Sequence, residues 1–250
     1  TGRGLARAGV WMGQQAVDAF RAIDPDVHRH LLQLPLLAYS LLTKRQVEPE
    51  AGPDDGRPPL LFVHGLGGNR GTFQPMAWYF SIQGRKRSYR VGFESGLSMD
   101  EQAAALARFV EEVLRVNQVD QVDLVAHSMG GLICRLALAE YGPAGKVATL
   151  VPLGTPHGGT YPARYANTQL TRDLRPDSEF IQRLAAHKVP EGLRVICLWS
   201  NNDLFVLPPE SAILPEAETL DVTPMTHYSY LLEPKAFDAV NRALDGVKWR

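Results

Sequence analysis

The apolar run VDLVA at residues 122–126 passes directly into His127-Ser128-Met129-Gly130-Gly131 and then into an apolar helical pattern ending near Ala139. An extended segment that turns into a helix within two residues brings two backbones almost into contact, so the turn needs small side chains. Ala126, Gly130 and Gly131 supply them. Such a turn commits the chain to a strand–helix unit, and the pattern recurs. LLFV (60–63), VATLVPLG (147–154), LRVICLW (193–199) and AETLDV (217–222) read as further short strands, with YRVGF (89–93) a weaker one. Between them, Leu106, Phe109, Val110, Val113 and Leu114 mark one face of a helix opened by the capping-box spacing of Ser98 and Glu101. MAWYF (76–80) reads as a helix with Trp78 partly exposed, and Phe237, Val240 and Leu244 mark a last helix. Strands alternating with helices predict an α/β fold: a mainly parallel central sheet covered by helices on both faces.

This pattern occupies residues 59–250, read as the main domain. Residues 1–46 are predicted to form a helical extension, with Val10, Val17, Phe20 and Ile23 near the helical period and Asp24-Pro25 opening a second helix. Residues 47–58, rich in Pro, Gly and acid, read as an exposed linker. The long stretch 155–190 between two strands is predicted to be a lid-like insertion. Within it Phe180, Ile181 and Leu184 share a helical face that either lines an acyl pocket or packs on the sheet.

The 26 basic and 27 acidic residues leave a net charge of −1, which gives no electrostatic footprint for nucleic acid. The one basic cluster, Arg85, Lys86, Arg87 and Arg90, reads as a solvated loop. Cys134 and Cys197 lack metal-ligand spacing and lie in apolar runs, so both are expected to be buried thiols. No signal peptide is visible. The apolar stretch 31–42 is too short to cross a bilayer, which takes roughly 20 residues, but it makes the extension a candidate for peripheral membrane contact, with cover of the sheet edge as the plainer role.

Ser128 stands where a parallel strand hands over to a helix, the end of a sheet at which chemistry collects. A sharp turn lifts its hydroxyl out of the sheet toward a base, and the helix start behind it offers free N–H groups to an oxyanion. Ala126-His127-Ser128-Met129-Gly130 fits the nucleophile elbow G-x-S-x-G with alanine for the first glycine. Strand-plus-glycine also occurs in LLFVHGLGGNRG, but a dinucleotide fingerprint through Gly65 and Gly67 would need glycine at position 70, which is Arg70.

AHSMGG (126–131) resembles the elbow of bacterial lipases and esterases of the α/β-hydrolase superfamily, in the group with alanine in the first position. FVHGLGGN (62–69) is similar to their oxyanion loop and LGTPHGG (153–159) to the loop after their next strand. The resemblance spans roughly residues 59 to 245 and implies an α/β-hydrolase fold. It implies that Gly65 and Gly67 bend the loop so that the Leu66 N–H joins the Met129 N–H as oxyanion donors, and that His64 shapes the loop. His127 abuts Ser128 but is expected to point to the other side of the turn. With the superfamily order Ser, acid, His, the resemblance implies that His227 is the base and Asp203 its orienter, with Glu210 and Asp221 as rival acids.

The expected activity is therefore that of a serine hydrolase acting on carboxylic esters of apolar acyl chains, a lipase or carboxylesterase working through an acyl-enzyme. An acyl ester or lipid is the expected substrate, and no cofactor or metal is required. A thioesterase, a phospholipase or another acyl-transfer enzyme is the alternative within the same chemistry. A non-catalytic binding protein on the same fold is the alternative outside it.

Overall fold

The computed structural model describes residues 48–246. The predicted extension at 1–46 lies outside the described residues, as does the candidate membrane-contact stretch within it. Six strands form one sheet: β1 (Leu60–Val63), β2 (Ser88–Arg90), β3 (Val122–His127), β4 (Val147–Leu153), β5 (Arg194–Trp199) and β6 (Glu218–Asp221). The spatial order is β2-β1-β3-β4-β5-β6, and every adjacent pair is parallel. The order reverses at β1, so the carboxyl ends of β1 and β3 flank the topological switch point where such sheets bind ligands.

Seven helices accompany the strands among the described residues: α1 (Gln74–Ile82), α2 (Met99–Asn117), α3 (Met129–Glu140), α4 (Gln169–Asp173), α5 (Glu179–Ala185), α6 (Ser229–Leu232) and α7 (Pro234–Leu244). Alternation along the strands divides the core into two layers. Leu61, Val63, Leu124, Ala126 and Leu150 face α2, α3 and α5. Leu60, Phe62, Val125, Val151 and Leu153 face α1, α6 and α7. A run such as LLFV carries no polar position because both of its faces are covered. The start of α2 is set by the capping box the sequence predicts: Ser98 Oγ accepts the Glu101 N–H at 3.3 Å, and the Glu101 carboxylate accepts the Ser98 N–H at 2.8 Å.

Of the two roles open to Phe180, Ile181 and Leu184, the structure shows packing: all three are buried in the α2/α3 layer. Arg183 on α5 ties the insertion to Asp100 on α2 and to Glu140 on α3. Farther back in the insertion, Thr160 Oγ1 donates to Phe205 O at 2.9 Å, joining it to the loop after β5.

The basic cluster departs from the solvated loop read from the sequence at its arginines, while Lys86 stays exposed. The Arg85 side chain is 3% exposed and binds Asp123 on β3 at 3.1 Å. Arg87 is 5% exposed and binds Asp54 at 2.6 Å, with Asp55 at 3.6 Å. Arg90 binds the Gln74 side chain. The acids that hold Arg85 and Arg87 come from β3 and from the segment read as an exposed linker. Residues 48–58 form no helix or strand, but they are fastened to the body: the Gly52 N–H donates to Asn117 Oδ1 and the Tyr89 hydroxyl to Glu50 O. Both cysteines are buried, and burial pushes the Cys197 thiol up to about 12.

Candidate active site

Ser128 joins β3 to α3 with φ 55° and ψ −128°, a conformation that costs a non-glycine residue of order 1–3 kcal/mol. The surrounding bonds hold it there. The Ser128 N–H donates to Leu153 O at 2.9 Å, and its carbonyl accepts the Gly131 N–H at 3.0 Å and the Thr155 hydroxyl at 2.9 Å. Close packing explains the glycine at position 130: a Cβ there would lie 2.5 Å from Val63 O and 2.7 Å from His64 O. His127 and Met129 on either side are buried, while Ser128 keeps partial exposure.

The loop after β1 lies against this turn. Gly65 owes its identity to contact as much as to bending, because a Cβ there would come within 2.8 Å of Ser128 Cβ. Gly67, at φ 69°, makes the bend. His64, expected to shape the loop, has its Nδ1 3.0 Å from Gly65 O and its ring edge-on to Phe93. Neither the Leu66 nor the Met129 N–H donates a hydrogen bond among the described residues.

Asp203 and His227 are paired. His227 Nδ1 lies 2.8 Å from Asp203 Oδ2, and both side chains are buried. The other carboxylate oxygen, Oδ1, accepts the N–H groups of Phe205 at 3.0 Å and Val206 at 3.2 Å. These bonds aim the carboxylate, which can accept the Nδ1–H of the imidazole. The Phe205 ring stacks on the imidazole at 5.0 Å. Among the described residues no hydrogen bond joins Ser128 Oγ to His227 Nε2. Among the described residues no three or more His, Cys, Asp or Glu side chains cluster as metal ligands.

The rival acids lie elsewhere. Glu210 sits in a 3-10 turn at Pro209–Ala212, and Asp221 ends β6, where its carboxylate caps the Thr223 N–H. The other histidines of the described chain have their own partners. His157 is buried between Arg135 and Cys197, and His187 pairs with Glu140. Burial, with the Arg135 charge beside it, holds His157 well below the ordinary histidine range.

The palmitoyl protein thioesterase family model matches residues 59–193, more than half of the sequence. The chain belongs to that family. Among curated relatives, a triacylglycerol lipase of Pseudarthrobacter phenanthrenivorans is 30% identical over 125 residues, covering 47% of this chain and 39% of the relative. A triacylglycerol lipase of Burkholderia plantarii is 30% identical over 125 residues, covering 47% and 34%. The chain thus spans well under half the length of these relatives. Among solved structures, the mature form of Bacillus licheniformis lipase BlEst2 superposes with a TM-score of 0.64 at 20% identity, covering 77% of this chain and 93% of that one. Aspergillus fumigatus lipase B gives 0.65 at 17% identity, covering 77% and 53%. These likenesses confirm the α/β-hydrolase fold.

In this member of the palmitoyl protein thioesterase family, the structure thus brings the Leu66 loop against the Ser128 turn and pairs Asp203 with His227. Three neighbours were not singled out for the site by sequence reasoning. Thr155 supports the Ser128 carbonyl, and Phe205 covers the His227 ring. His127 is the third: its Nε2 lies 2.8 Å from the His227 carbonyl oxygen, and the two rings are 4.4 Å apart. Strand alternation does send His127 away from the Ala126 face. That other side is where the segment bearing His227 docks.

Proposed function

We propose that the chain is a serine hydrolase that cleaves carboxylic esters of apolar acyl chains through an acyl-enzyme, with Ser128 as nucleophile, His227 as base and Asp203 as its orienter. The observation that carries this reading is the buried His227–Asp203 bond of 2.8 Å, set beside a serine whose strained backbone leaves its side chain partly exposed. His227 Nε2 takes the Ser128 hydroxyl proton as Oγ bonds to the acyl carbon. The Leu66 and Met129 N–H groups receive the oxyanion. His227 then protonates the leaving oxygen as its bond to the acyl carbon breaks. Water next gives His227 a proton and attacks the same carbon. The Ser128 Oγ bond breaks, and Oγ recovers the proton.

Exposed Leu66, Leu204, Phe205 and Tyr161 lie on the segments that converge here, which suits an uncharged acyl chain. They also suit approach to a lipid surface. Among the described residues no helix is long and apolar enough to cross a membrane. The family match favours a second reading, with a thioester in place of the oxygen ester and the same acyl-enzyme.

The test compares the wild type with Ser128→Ala on p-nitrophenyl esters of increasing chain length and on acyl thioesters of matched length. Ser128→Ala should lose at least about 10³-fold in kcat while melting like the wild type. Equal turnover by both proteins would overturn the reading. A wild-type kcat/KM higher on the thioester than on the matched ester would favour the second reading.

A further inference from the structure

We infer that His127 is a positioning residue for the base: through its Nε2 it fixes the backbone of His227 against the turn that carries Ser128. This rests on the proposed roles of Ser128 and His227. The bond joins residues 100 positions apart, is 2.8 Å long and is buried. A carbonyl oxygen can only accept, so His127 Nε2 is the donor, and the ring can hold its proton there while staying neutral. Burial, followed by the neighbouring His227 and His64 rings, holds His127 well below the ordinary histidine range. A neutral ring 4.4 Å from His227 adds no repulsion when that imidazole becomes charged.

Two restraints are needed to aim a ring. The Asp203 carboxylate fixes the side chain of His227 at Nδ1. It says nothing about where the main chain of residue 227 stands relative to the nucleophile. Bonds such as the Ser229 N–H to Thr226 O shape that segment internally. The His127 bond ties it to β3, and its donor is the residue covalently joined to Ser128. Any shift of the turn is therefore transmitted to the base. An error of about 1 Å in such a pair can cost about 10²-fold in rate.

The test compares His127→Leu, which fills similar volume without a donor, with His127→Gln, whose amide N–H reaches the same carbonyl. The readouts are kcat and KM on p-nitrophenyl butyrate and the rate at which a fluorophosphonate labels Ser128. His127→Leu should lower kcat and labelling by about 100-fold with KM within about twofold, and His127→Gln should restore most of the loss. Should the Leu protein fail to fold, His127→Asn, polar but too short to reach, serves the same comparison with Gln. A donor-free variant within about threefold of the wild type overturns the inference, as does a Gln variant no better than Leu or Asn. Failure of the wild type itself to be labelled at Ser128 overturns the underlying assignment as well. Wild-type labelling matched by His127→Leu overturns the inference alone.

Discussion

At the end of β3, Ser128 sits at φ 55° in a turn packed so tightly that Gly130 has no room for a Cβ, and the small residues that permit the turn, Ala126, Gly130 and Gly131, lie within a few positions of Ser128, although the carbonyls they pack against and the Leu153 and Thr155 bonds come from other strands and loops. Beside β2, Arg85 and Arg87 are buried, and what holds them is distant: Asp123 lies 38 positions from Arg85, and Asp54 lies 33 from Arg87. The first region is shaped by residue size and backbone conformation, which a short stretch of sequence carries with it. The second is shaped by charge pairing across strands, which exists only once the sheet has formed. A run of arginines is the same string of letters whether water or a buried carboxylate receives it.

The difference can be broken most severely at the edge. Arg85→Met strands the Asp123 carboxylate inside the protein, and we expect a loss of about 3–5 kcal/mol in denaturant unfolding. Replacing both partners, Arg85→Met with Asp123→Leu, should recover most of it, because two apolar groups leave no uncompensated charge. Specific activity of the folded fraction should stay near wild type in both, since neither residue touches the Ser128 turn.

Acid should separate the regions by pH window. Away from that edge, burial holds His127 and His157 well below the ordinary histidine value, and His64 below it. The unfolded chain therefore binds more protons than the native state as pH falls below about 6.5, so stability declines with falling pH from there. Each histidine that stays neutral contributes a slope of up to about 1.4 kcal/mol per pH unit. At the edge, burial raises the Asp55 carboxyl, but N–H bonds from Lys86 and Arg57 and the Arg87 charge together bring it below the usual value. Its contribution is present above about pH 4 and is lost as pH falls further. Urea unfolding from pH 8 to 4 should show the histidine slope first, and His157→Phe should reduce it; an unchanged slope would contradict the burial of that ring as a neutral group.

The smallest effect on stability with the largest consequence for the turn is expected from Gly130→Ala. The added methyl must push on the Val63 and His64 carbonyls, at a cost of about 1–3 kcal/mol. The displaced helix start should lower kcat by more than that loss of stability lowers the folded fraction. Thermal melts alongside kinetics separate the two.

The sequence alone determined the strand–helix alternation, the all-apolar LLFV strand, the Ser98–Glu101 cap and the small residues of the Ser128 turn. Each depends on near neighbours, on side-chain size and on periodicity, and these are written in consecutive residues. Recognition of Asp203 and His227 needed a family resemblance, because nothing local distinguishes one loop aspartate or histidine from another. Tertiary structure decided the fate of the Arg85 cluster, the burial of Phe180 and Leu184 against α2 and α3, and the approach of His127 to the His227 carbonyl. Those contacts join residues tens of positions apart, and whether such groups meet is settled by the order of strands in the sheet rather than by the spacing of residues along the chain.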